Sequence, residues 1–184
     1  PPRDAALIRA LAGYRRQSGL DPSREVQEEA LSAYPGVARL ILDLFRLKFD
    51  PAIRADVAAR TEQAKALEGE IAAALQGVAS LDADRALRRI AALVGAIQRT
   101  NFYQRGPDGA AKPYISFKVA SRELADLPAP KPYREIYVAA PHIEGVHTRF
   151  GPVARGGLRW SDRRDDFRTE VLSLVKAQQV KNAV

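Results

Sequence analysis

Apolar residues recur three and four positions apart from Asp4 to about Gln104, the spacing that lines up side chains on one face of a helix. Leu7, Leu11 and Tyr14 make the first stripe, and Gly19-Leu20-Asp21-Pro22-Ser23 supplies a stop and a fresh start. Ser23 with Gln27 resembles a capping arrangement whose acceptor falls one residue late, and Val26, Ala30 and Leu31 continue a second helix. Pro35 fits the first turn of a third, made apolar on a broad face by Val37, Leu40, Ile41, Leu44, Phe45 and Leu47 and ended by Asp50-Pro51, so it is expected to be well buried. Arg54 to Leu75 has the Ala, Glu and Lys content of an exposed amphipathic helix, and Asp82 to Gln104, with Leu87, Ile90, Leu93, Val94 and Ile97, predicts a fifth.

The period changes after the turn Arg105-Gly106-Pro107-Asp108-Gly109. Tyr114–Val119 and Tyr133–Val138 read as strands joined by a proline-rich linker, and a third strand is expected from Val146 to about Trp160, interrupted at Gly151-Pro152. Ser161 or Asp162 is the expected cap of a closing helix from Asp165 to Lys181. Its apolar residues, Phe167, Val171, Leu172, Leu174, Val175 and Val180, fall on several faces, which predicts burial. The chain is therefore expected to be α+β, with a helical region over 1–104 and a second region, 105–184, that opens with a small sheet and closes with a buried helix.

Composition narrows the picture. The 184 residues are 46% hydrophobic, enough for a real core, and contain no cysteine, so neither a disulfide framework nor a thiolate metal site is available and a reducing cytoplasm is the expected location. No apolar run approaches the roughly 20 residues of a membrane span, and Pro1-Pro2-Arg3-Asp4 lacks the order of a signal peptide. The missing initiator methionine and the uncapped apolar end, Lys176 to Val184, are read as cuts from a longer chain. The formal net charge is +7, and between Gly145 and Val184 eight cations face four carboxylates, more than half of the excess. Such a field favours an anionic partner, either nucleic acid or a small acid.

The candidate chemistry lies in Gly151-Pro152-Val153-Ala154-Arg155-Gly156-Gly157-Leu158-Arg159-Trp160 and the helix behind it. Gly156 and Gly157 carry no Cβ and let a ligand approach the backbone, while Arg155 and Lys181 are cations suited to carboxylates. A bend beside an arginine and a lysine that snorkels to water are the bland readings of the same residues. Geometry lets the two cations meet: the closing helix rises about 24 Å, and Arg155 lies about 17 Å back along an extended chain from Trp160.

The segment 151–183 resembles the substrate-binding region of the glutamate dehydrogenase family. Compact members carry Gly-Pro-aromatic-Lys-Gly-Gly-Leu/Met-Arg-aromatic ahead of a helix ending Phe-Lys-Asn/Asp. In the large bacterial NAD-specific subfamily the stretch is similar to Val153–Arg164 with Lys176-Ala177-Gln178 and Val180-Lys181-Asn182-Ala183 behind it. The likeness is specific over about the last 50 residues and looser over the helical part and Arg99-Thr100-Asn101-Phe102-Tyr103. It implies that 105–184 is the start of a truncated catalytic domain. By position, Arg155 corresponds to the family lysine that holds the substrate side-chain carboxylate and Lys181 to the one that holds the α-carboxylate, with Lys176 as a competitor. Arginine at the first position substitutes a bidentate fork for a point charge. Arg159 is assigned no ligand.

The resemblance also implies reversible oxidative deamination of L-glutamate to 2-oxoglutarate and ammonium, with hydride passing to NAD. The family's catalytic lysine and aspartate are expected beyond Val184. No Gly-x-Gly-x-x-Gly fingerprint occurs, so NAD is expected to bind a domain outside this chain, and the fragment alone is expected to be inactive. The expected partners are L-glutamate or 2-oxoglutarate, the rest of the parent chain and further copies in a homo-oligomer, with no nucleic acid and no membrane. The alternative is a basic helical nucleic-acid-binding or adaptor module, for which the pI of about 9.9 argues. Arg163-Arg164 running straight into Asp165-Asp166 argues against it. His142 and His147 have no cysteine and no clear carboxylate beside them, so surface positions are expected and no metal is predicted.

Overall fold

A computed structural model describes residues 2–19, 23–151 and 160–181. Its class is α+β, as the change of period implies: five helices, a four-stranded antiparallel sheet and a sixth helix. The first helices are α1 (Pro2–Gln17), α2 (Arg24–Ala33) and α3 (Pro35–Phe49). Pro35 occupies the first turn of α3, where its missing N–H costs nothing. As expected, α3 buries Val37, Ile41, Leu44 and Phe45. Ser23 precedes α2 but makes no side-chain cap.

Helix α4 (Val57–Leu75) begins at Asp56, whose carboxylate accepts from Ala59 N at 2.7 Å. It is largely exposed and buries Ile71 and Leu75. The guanidinium of Arg60 donates to the carbonyls of Leu47, Lys48, Asp50 and Ile53, which satisfies acceptors left open where α3 ends.

Helix α5 (Leu81–Ala96) departs from expectation. It stops eight residues before Gln104, because Ile97 turns extended at φ −68°, ψ 128° and starts strand β1 (Ile97–Thr100). The apolar stripe that predicted a longer helix includes Ile97, but that side chain is buried opposite Val119 across the sheet. Tertiary pairing overrides the local period here. Beyond Thr100 the buried Asn101 takes over the pairing: its amide donates to Tyr114 O at 3.1 Å and its carbonyl accepts from Ser116 N at 2.7 Å.

Strands β2 (Ile115–Val119), β3 (Arg134–Ala140) and β4 (Ile143–Arg149) complete a meander in the order β1-β2-β3-β4. The first two match the expected segments to within two residues. The third strand begins three residues earlier than expected and ends at Arg149, because β3 and β4 form a two-residue hairpin across Pro141-His142. Residues 152–159 of the expected strand lie outside the described residues. His142, in the hairpin turn, and His147, on β4, are both exposed.

The sheet has two dissimilar faces. Ile115, Phe117, Val119, Glu135 and Tyr137 point inward and join Leu7, Leu11, Tyr14, Ile41, Phe45, Leu87, Ile90 and Leu93 of the helices in one core. Phe45 is its aromatic centre, with ring centroids 4.9 Å from Phe49, 5.3 Å from Phe102 and 6.4 Å from Phe117. The opposite face is open. Among the described residues no helix is long and apolar enough to cross a membrane.

Candidate functional site

Of the residues singled out by sequence, Arg155, Gly156 and Gly157 lie outside the described residues. Lys181 closes helix α6 (Phe167–Lys181), whose backbone is described at that position. The competing Lys176 is exposed on the same helix. The structure describes the frame that carries the Lys181 backbone, helix α6 and its attachment to the sheet.

That frame rests on one buried ion pair. Strand alternation places Glu135 on the inner face beside Tyr137, in the core, where a bare carboxylate would be costly. Arg168, in the first turn of α6, meets it with two bonds, Nε to Oε1 at 2.8 Å and Nη2 to Oε2 at 3.0 Å. Tyr14 from α1 and Ser121 from the 3-10 turn over Ser121–Glu123 each donate a hydroxyl to Oε2 at 2.7 Å. Glu135 is fully buried and Arg168 is 2% exposed. Burial raises the pKa of the Tyr14 phenol well above its ordinary value, and the Glu135 charge adds to that, so Tyr14 acts as a fixed donor.

Gln17, at the end of α1, locks the start of α6. Its amide nitrogen donates to Arg164 O at 2.6 Å, and its oxygen accepts from Arg168 N at 3.3 Å, one of the N–H groups that a helix start leaves unpaired. The helix begins at Phe167, not at Asp165. The expected caps, Ser161 and Asp162, lie too far upstream: Ser161 instead accepts from Arg163 N at 3.2 Å and donates to the Glu170 carboxylate at 2.7 Å. Asp166 precedes the helix, and the Arg163 guanidinium bonded to it lowers its pKa.

The expected burial of α6 is met only near its start. Arg168 is its buried described side chain, Phe167 and Val171 are half-buried, and Leu174 is 44% exposed. Described packing partners, β4 and α1, cover one side of the helix, so the faces holding Leu174 and Lys176 meet solvent.

A second buried arginine, Arg15 on α1, pairs with a part-exposed carboxylate. Arg15 is fully buried and bonds Asp126 at 2.5 Å, and Arg89 shares that carboxylate at 3.0 Å. Sequence reading passed over Glu135, Arg168, Arg15 and Asp126. The one local signal was Glu135 itself, a carboxylate alternating onto the apolar side of a strand; its partners come from 33 and 121 positions away and leave no local trace.

The four described strands are antiparallel, so the parallel strand-helix-strand unit with a glycine-rich turn at a helix start is missing among the described residues. What the arrangement offers is a helix α6 anchored at its first turn, with Lys181 at its far end about 20 Å along the axis from Arg168.

Comparison with known proteins agrees with this architecture. Residues 70–184 match the profile of the bacterial NAD-glutamate dehydrogenase catalytic domain, and residues 1–51 match glutamate dehydrogenase helical motif 3. The chain is 48% identical over 184 residues to the NAD-specific glutamate dehydrogenase of Pseudomonas aeruginosa, covering 100% of this chain. It is 47% identical over 182 residues to that of Halomonas elongata and 46% over 183 residues to that of Mycobacterium tuberculosis, each covering 99% of this chain. The chain spans 11% of the length of these relatives. A catalytic-domain match over most of the chain, near-full coverage at this identity and an α+β frame ending in the lysine-bearing helix together make it a member of the bacterial NAD-glutamate dehydrogenase family.

Proposed function

We propose that this chain supplies the dicarboxylate-holding part of an enzyme that oxidatively deaminates L-glutamate to 2-oxoglutarate and ammonium with NAD as acceptor. The observation that carries this reading is the catalytic-domain match over residues 70–184, which includes the Arg155-Gly156-Gly157 motif and Lys181. In this reading residues 1–104 serve as the helical region and 105–184 as the start of the catalytic domain. NAD binds a domain outside this chain, and the protein works in the cytoplasm as a homo-oligomer.

Arg155 holds the side-chain carboxylate of the substrate, and Lys181 holds the α-carboxylate. Gly156 and Gly157 let the substrate lie against the backbone. The Glu135–Arg168 pair sets the direction of α6 and so the place where the Lys181 backbone arrives.

The test compares two amino acids on the intact parent protein. A desolvated charge-assisted contact contributes about 1.5–3 kcal/mol, so removing either cation lowers kcat/KM for glutamate by about 10- to 150-fold. Lys181→Ala weakens glutamate and norvaline alike, because both carry an α-carboxylate. Arg155→Ala penalises glutamate selectively, because norvaline has no second carboxylate to leave unpaired. Equal losses on both substrates in Arg155→Ala, or wild-type kinetics in Lys181→Ala, would remove these assignments.

A further inference from the structure

The first turn of α6 is completed by a side chain from another helix. An α-helix joins each N–H to the carbonyl four residues earlier. Phe167 N follows that rule with Arg163 O at 3.1 Å, and Glu170 N follows it with Asp166 O at 3.3 Å. Two rungs between them depart from it. Thr169 N takes the tighter span to Asp166 O at 2.9 Å, and the rung from Arg168 N to Arg164 O is replaced by the Gln17 amide. Gln17 accepts from Arg168 N at 3.3 Å and donates to Arg164 O at 2.6 Å, so one side chain stands where a backbone hydrogen bond would close the turn.

This bridge starts from a firm base. Gln17 is 1% exposed, so its amide has exchanged water for these two backbone groups. At the start of α1, Arg3 donates to Phe102 O at 2.8 Å and Lys112 O at 2.9 Å. In its last turn Tyr14 reaches Glu135 at 2.7 Å and Arg16 reaches Glu144 at 3.1 Å. Helix α1 is thus tied to the second half of the chain at both ends, and α6 takes its starting point from α1. Small errors there are magnified at the far end: over the roughly 20 Å from Arg168 to Lys181, a tilt of about 3° moves the backbone by about 1 Å. Displacements of that size are enough to spoil a substrate contact.

We propose that Gln17 is a positioning residue for substrate binding: by completing the first turn of α6 it sets the direction of that helix and so the reach of Lys181 to the α-carboxylate. This rests on the assignment of Lys181 to that carboxylate. It also gives the helical region a direct influence on substrate affinity, because a shift of α1 passes to α6 through one amide.

Steady-state kinetics of the intact parent protein test this with two variants. Gln17→Met keeps the length of the side chain and cannot bridge the two backbone groups. Gln17→Glu keeps an acceptor for Arg168 N and loses the donor to Arg164 O, so a folding failure of one variant leaves the other to be measured. Each is expected to raise KM for glutamate and for norvaline alike by about three- to tenfold, because both carry the α-carboxylate. The value of kcat stays within about twofold of the parent, as for a loss of uniform binding. A merely structural role gives the opposite split, since a smaller folded fraction lowers apparent kcat and leaves KM in place. Gln17→Met/Lys181→Ala is expected to show no KM rise beyond that of Lys181→Ala, because the bridge acts through that lysine. An unchanged KM in a folded variant, a rise for glutamate alone, a fall confined to kcat, or additive losses in the double variant would each overturn the proposal. Failure of the Lys181 assignment reads separately, as wild-type kinetics in Lys181→Ala alone. A loss in Lys181→Ala with unchanged KM in the Gln17 variants strikes only the bridge.

Discussion

Gly13 lies in α1 at a point where two opposing effects can be weighed. Glycine inside a helix is less stable than alanine by about 0.5–1 kcal/mol, so Gly13→Ala is stabilising if only the helix is considered. A Cβ at that position, however, meets Tyr137 Oη at 2.6 Å. Tyr137 is fully buried and stands edge-on to Tyr14 at 5.6 Å, so its ring has little room to retreat. Forcing extra volume into a packed core costs about 1–3 kcal/mol, which exceeds the helix gain. Gly13→Ala is therefore expected to lower stability by about 1 kcal/mol and Tm by about 2–4 °C. Gly13→Ala/Tyr137→Phe should recover the loss; a thermal melt in which the single variant gains stability would show that the helix term dominates.

At the scale of elements, α6 is joined to the sheet by Glu135 and Arg168. Removing one member of a buried pair leaves an uncompensated charge and costs about 3–5 kcal/mol, whereas replacing both with apolar groups of similar volume is often near neutral. Glu135→Leu is expected to show the full loss in a urea titration, and Glu135→Leu/Arg168→Met to recover most of it. Additive losses would mean that the two side chains act independently. The helices were legible in sequence because their apolar period is local. The end of α5 was not, because Ile97 continues the stripe of Leu87, Ile90 and Leu93 and only its pairing with Val119 makes it a strand. The β3–β4 hairpin escaped notice because Pro141-His142 lacks the Asn-Gly or Gly-x signature of such turns. Arg155 and Lys181 stood out as cations suited to carboxylates and took their roles from resemblance to a family, while the Glu135–Arg168 anchor of α6 is assembled from residues far apart in the chain.

For the molecule as a whole, the two tyrosines of the core set an alkaline limit. Burial raises the phenol pKa of Tyr14 and of Tyr137, and the charges of Glu135 and Glu144 respectively push in the same direction. The unfolded chain ionises these phenols near pH 10 while the folded one keeps them neutral. Their contribution is therefore complete below about pH 10 and is lost as pH rises beyond it, by about 1.4 kcal/mol per pH unit for each tyrosine. Urea midpoints should stay level from about pH 8 to about pH 10 and fall from there to about pH 11, and Tyr14→Phe should make that fall shallower. A midpoint independent of pH across that window would contradict the buried, neutral assignment. The contact between Gln17 and Arg168, 151 positions apart, also bears on biosynthesis. At about 5–20 residues per second, Gln17 leaves the ribosome about 8–30 s before the residue it locks, and Glu135 waits about 2–7 s for its guanidinium. During that wait the nascent sheet holds a carboxylate at its core face with only hydroxyl donors to satisfy it, so the first helix and the sheet are expected to reach their final packing only after α6 has been made.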